Sequence, residues 1–160
     1  MQLAAAFFID LSKSIQYIRF TPNVHIFYYF YMDAEKVKNF WKEEAEEALQ
    51  VAKHLFEKKD FSYALFFGHL AVEKTLKAFY VIKKKDQAPY SHNLLSLAES
   101  AEILLSDEKK EELIKITAFN LESRYPDEKR SFRKKCTEEF TVSEMKQIEE
   151  IFLWLKSMLQ

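Results

Sequence analysis

The chain has 160 residues, with one glycine, three prolines, one cysteine and a formal net charge of −1 from 24 basic and 25 acidic side chains. This length suits one domain with its own core; so few turn residues exclude most β architectures, and balanced charge excludes a global field that would recruit nucleic acid or anionic membrane. A lone Cys136 excludes an internal disulfide and a multi-cysteine zinc site, and fits a reducing cytoplasm.

No uninterrupted apolar run reaches the roughly 20 residues that a membrane-spanning helix needs, so a soluble cytoplasmic protein is expected. Residues 1–31 differ from the rest: they end in His25-Ile26-Phe27-Tyr28-Tyr29-Phe30-Tyr31 and lack helical periodicity. No Lys or Arg precedes Lys13, and Asp10 interrupts the apolar stretch, which argues against a secretory signal. Two accounts stay open: an appended segment that packs on the domain or a partner, or upstream sequence translated from an early start codon. The character changes at Met32, so residues 32–160 are read as the domain and 1–31 as an extension.

From Asp33, a helix N-cap, the apolar residues Val37, Trp41, Ala45, Ala48, Ala52 and Leu55 recur every three or four positions and predict a first helix ending near Lys59. Asp60 is placed to cap a second helix, in which Ala64, Gly68, Ala71, Thr75 and Ala78 make a narrow side and Phe61, Leu65, Val72, Leu76 and Phe79 an adjoining bulky one. Such a helix is expected between neighbours, with a facing backbone close to Gly68. After Pro89, Ser91 is placed to cap a shorter helix carrying Leu94, Leu95, Leu97 and Ala98. Ser106 starts a fourth, with Leu113, Ile114, Ile116, Phe119 and Leu121 inside, which must stop before Pro126. Thr141 and Glu144 have capping-box spacing ahead of Met145, Ile148, Phe152, Leu155 and Leu159. The fold expected is an all-α, up-and-down antiparallel bundle of four to five helices. Leu153 and Trp154 lie outside the stripe of the last helix, to be covered by a second subunit or by the aromatic extension.

The chemistry concentrates on the second helix. Phe66, His69, Leu70, Glu73, Lys77 and Tyr80 share one sector, a mixed surface suited to stacking a base or pairing with a helix. Glu73 and Lys77 form an i,i+4 pair that serves either as a structural ion pair or as part of a ligand site. His69 and Glu73 have the spacing of half a metal site, but no second pair accompanies them, so no metal is expected. Arg124, beside Pro126, is suited to hold phosphate bidentately. The following Lys129, Arg130, Arg133, Lys134 and Lys135 alternate with acids and read as a solvated loop before an RNA patch. Cys136 has no neighbouring base, and His92 serves to cap, pack or act on a proton. One glycine leaves no phosphate-cradling loop and no dinucleotide fingerprint.

The pattern Ala64-x-x-x-Gly68-x-x-Ala71-Val72-Glu73-Lys74-x-Leu76-Lys77-Ala78, followed by His92-Asn93-Leu94 and Arg124-Tyr125-Pro126, resembles the HEPN domain family over about Met32 to Gln160. The resemblance implies a four- or five-helix bundle forming a homodimer, often encoded beside a minimal nucleotidyltransferase as a toxin-antitoxin-like pair, with nucleotide binding proposed for the family. Many relatives are metal-independent ribonucleases using Arg followed four to six residues later by His. No His follows Arg124, Arg130 or Arg133 here, and Arg19 with His25, though correctly spaced, precede the domain across Pro22. The expected protein is therefore a noncatalytic, cofactor-free HEPN dimer binding a nucleotide or a nucleotidyltransferase through Glu73, Lys77, His92 and Arg124. The alternative is a HEPN ribonuclease with a divergent active site.

Overall fold

Helix-forming residues dominate beyond Asp33, and in a computed structural model, which describes residues 33–159, they build helices and no strand. The order is α1 (Ala34–Glu57), α2 (Phe61–Lys84), α3 (Leu94–Ser100), α4 (Asp107–Arg124), α5 (Ser131–Lys135) and α6 (Glu138–Met158). Five have seven residues or more, and α5 is a single short turn that the charged composition after Pro126 concealed. The helices pack antiparallel, so the expected all-α bundle is present. The extension 1–31, with Arg19 and His25, lies outside the described residues.

Helix α2 is central because it is apolar on nearly every side, and it packs against α1, α3, α4, α5 and α6. Its Ala64, Leu65, Ala71, Val72, Leu76 and Ala78 are completely buried. On the narrow side Gly68 admits Ile148 of α6: a Cβ there would stand 2.8 Å from Ile148 Cδ1 and 3.1 Å from Cγ2. The absence of a side chain at Gly68 therefore sets how closely α2 and α6 approach.

The ends of the helices correct several expectations. Asp60 occupies the cap position of α2 without a side-chain bond. The turn is instead closed by α1's own end, where Lys59 is left-handed at φ 65° and Asp60 N–H donates to the Leu55 carbonyl at 2.9 Å. Asn93, not Ser91, caps α3, its side chain accepting from Ser96 N–H at 3.0 Å. Helix α6 starts at Glu138, with Thr137 accepting from Phe140 N–H at 3.3 Å. Thr141 lies inside that helix and donates its hydroxyl to the Thr137 carbonyl at 2.7 Å, while buried Glu144 pairs with Lys115 at 2.8 Å. The Thr141–Glu144 spacing thus imitates a capping box because both side chains have partners elsewhere. Ser106 does cap α4, accepting from Lys109 N–H at 3.3 Å.

On α4, Leu113, Ile116 and Phe119 face inward, but Ile114 and Leu121 are exposed, since only one side of that helix meets α2. Trp154 is half-buried beneath the Lys109 ammonium at 5.8 Å, whereas Leu153 is exposed. No helix among the described residues is long and apolar enough to cross a membrane.

The Gly68 contact has a direct test. Gly68→Val adds a branched side chain against Ile148 and is expected to lower unfolding free energy by about 1–3 kcal/mol, measured by chemical denaturation. Adding Ile148→Ala to that variant should recover part of the loss, as expected for residues in contact.

Candidate functional site

Glu73 projects from the middle of α2 and is only 3 % exposed. A carboxylate in that position must be met by donors or neutralised. Three side chains meet it: Lys77 Nζ donates to Oε1 at 2.7 Å, His69 Nε2 lies 3.1 Å from Oε2, and His92 Nδ1 lies 2.8 Å from that same Oε2. Burial by itself pushes the Glu73 carboxyl upward, but the hydrogen bonds from His69, Lys77 and His92, with the Lys77 charge, outweigh it and hold the group at about 2, against an ordinary 4.5.

The donors come from different parts of the chain. His69 and Lys77 stand four residues to either side of Glu73, one helical turn each way, and so share its face. His92 belongs to the connection between α2 and α3. That connection is fixed by Leu94, which is completely buried and whose N–H donates to Thr117 Oγ1 of α4 at 3.1 Å. His92 keeps 58 % of its side chain exposed, so the network reaches solvent there.

On the other side the network continues into α4. His69 is wholly buried, with Nδ1 3.2 Å from the Ile116 carbonyl oxygen and Nε2 2.9 Å from Asn120 Nδ2. Asn120 Oδ1 is buried without a hydrogen-bond partner. The Asn120 backbone carbonyl accepts from Arg124 Nε at 3.1 Å, and the exposed guanidinium lies 5.8 Å from the Phe66 ring and 5.4 Å from the Tyr125 ring. Its terminal nitrogens carry no hydrogen bond among the described residues. Lys77 Nζ stands 5.2 Å above Trp41 of α1.

Glu73, Lys77 and His92 are therefore in direct contact, while Arg124 joins them through Asn120 and His69. The sector with Phe66, His69, Glu73 and Lys77 is not the open surface its polarity suggested. His69, Glu73 and Lys77 are buried, because α1 and α4 close over them. Trp41 carried no functional signal in the sequence, and the one signal for Asn120 was its place one turn before Arg124. In the basic segment, Arg133 donates from Nη2 to Tyr63 Oη at 2.7 Å, and Lys135 lies 5.0 Å from the Phe140 ring. Two of its cations thus serve packing. Burial, with Glu122 nearby, pushes the Cys136 thiol up to about 11, opposite to the change a nucleophile needs.

A family model described as HEPN domain matches residues 39–158. The crystal structure of TT1696 from Thermus thermophilus superposes with a TM-score of 0.63 at 16 % identity, covering 75 % of this chain and 96 % of that one. At such identity the likeness is one of fold. No curated protein matches the chain.

The low Glu73 value carries a pH signature. A carboxyl held at about 2 rather than 4.5 contributes on the order of 3 kcal/mol to stability. The contribution is fully present above pH about 4.5 and disappears as pH falls through about 2. Glu73→Gln should destabilise the bundle by about 3 kcal/mol at neutral pH, because it leaves Lys77 without its partner. The gap between wild type and variant should close across that acid window, as followed by urea denaturation at a series of pH values.

Proposed function

The chain belongs to the HEPN domain family, and from that premise we propose that it is a noncatalytic, cytoplasmic HEPN protein that binds a nucleotide through Arg124, His92, Lys77 and Glu73. The observation that carries this reading is the polar chain from Arg124 through Asn120, His69 and Glu73 to His92, open at both ends. One carboxylate in it is set against Lys77, Arg124 and two imidazoles, so the cluster has positive charge to spare for a phosphate. Arg124 is already oriented by its Nε bond and by two aromatic rings, which leaves its terminal nitrogens as a planar fork for a phosphate group. Tyr125, 67 % exposed, offers a ring face on which a base can stack.

Family membership also supports a homodimer and a minimal nucleotidyltransferase as the protein partner of a toxin-antitoxin-like pair. The exposed apolar side chains Ile114, Leu121 and Leu153 give such contacts material to bury. The rival reading is a ribonuclease with a divergent site, in which His92, backed by Glu73, supplies the imidazole that no residue after Arg124 provides.

Calorimetry of the full chain with ATP, GTP, CTP and UTP tests the proposal. Saturable binding to at least one is expected, and Arg124→Ala should weaken it by about 1.5–3 kcal/mol, roughly ten- to a hundredfold. No heat with any of the four from a folded protein removes the nucleotide reading. Labelled RNA cleaved by wild type and spared by His92→Ala establishes the ribonuclease instead.

A further inference from the structure

The fold completes a grouping that the sequence holds only in halves. His69 and Glu73 stand one helical turn apart on α2, and His92 arrives from the loop before α3. Their donor atoms all lie within 4.8 Å of one another, the arrangement of two imidazoles and one carboxylate that binds first-row transition cations.

Two further observations point to a cation at that place. His69 Nδ1 faces the Ile116 carbonyl, which only accepts, and in the tautomer protonated there Nε2 is left as the ligating nitrogen. In that tautomer the Nε2 lone pair accepts from Asn120 Nδ2–H at 2.9 Å and lies 3.1 Å from Glu73 Oε2. A cation placed between Nε2 and Oε2 would draw both lone pairs to itself. The backbone carbonyl on Nδ1 is also the outer contact that fixes a metal-binding imidazole in its ligating tautomer. The second observation is Asn120, 3 % exposed, whose Oδ1 has no partner although its Nδ2 lies 2.9 Å from His69 Nε2. A half-turn of that amide exchanges the two atoms and turns a carbonyl oxygen toward the same centre.

We infer that His69 Nε2, Glu73 Oε2 and His92 Nδ1, with Asn120 Oδ1 as a fourth donor, form a binding site for a divalent transition cation of the zinc class. The separations of 3.1 and 2.8 Å from Oε2 are hydrogen-bond distances, and ligands sharing one tetrahedral ion at about 2.0–2.2 Å stand roughly 3.3–3.6 Å apart, so the donors need to spread by only about half an ångström to admit it. Lys77 donates to the other carboxylate oxygen, leaving Oε2 to the cation. Two imidazoles favour zinc, cobalt or nickel over magnesium and calcium, which take oxygen donors. The exposed side of His92 is the entry path.

The inference does not depend on nucleotide binding and is tested with the metal alone. Full-length protein stripped with chelator is titrated with Co2+, followed by visible absorption, and with Zn2+, followed by calorimetry. One ion per chain is expected, with cobalt bands that zinc abolishes. His92→Ala, a change at an exposed position, should weaken zinc binding by more than about 100-fold, beyond the loss of an outer-shell partner. His54→Ala, on the exposed side of α1, should bind as wild type does. Asn120→Ala should weaken binding while circular dichroism shows an intact bundle. Absence of saturable zinc binding in wild type, or unchanged affinity in His92→Ala, overturns the inference. Nucleotide titration of the chelator-treated protein reports separately, so either reading can fail while the other stands.

Discussion

A carboxylate within the central helix of the bundle is the constraint to which the rest of the structure answers. Glu73 is shielded from water, and an unmet charge there would cost several kcal/mol, so its two oxygens require donors. Two come from its own helix at i−4 and i+4, and the third comes from a loop fixed by α3 and α4. Satisfying one side chain thereby ties the α2–α3 connection to α2, and His69 extends the tie to α4 through Ile116 and Asn120. The polar network and the apolar core are two sides of the same helix.

That arrangement needs α2 to be surrounded, which the narrow side of the helix permits. Gly68 brings Ile148 of α6 into contact, and Ala64, Ala71 and Ala78 let neighbours approach closely. With α1, α4 and α6 in place, the opening toward solvent lies beside His92, and the exposed cation of the network is Arg124 at the end of α4. The core thus holds His92 and Arg124 at its margin, exposed to solvent.

Much of the fold was legible because helical periodicity is local. Val37 to Leu55 wrote one apolar stripe, and the lack of glycine and proline left strands without turns to join them. The errors fell where a side chain had a choice of partners. Ser91 and Asn93 both have capping chemistry, and the buried position of Leu94 decided for Asn93. Thr141 and Glu144 had the spacing of a cap, but Lys115 on another helix claimed the glutamate. Ile114 and Leu121 looked internal because apolarity does not say which faces of a helix are covered.

The amino-acid sequence by itself determined the helical class, the central place of α2, the family pattern and the identity of the charged residues Glu73, Lys77, His92 and Arg124. Those properties follow from spacing along the chain, since residues four apart on a helix are neighbours whatever surrounds them. Only the tertiary structure decided that His92 meets Glu73, that His69 is buried rather than presented, and that Asn120 links the cluster to Arg124. The Glu73–His92 and His69–Asn120 contacts join residues 19 and 51 positions apart, and only the packing of α4 and the α2–α3 loop against α2 could bring them together.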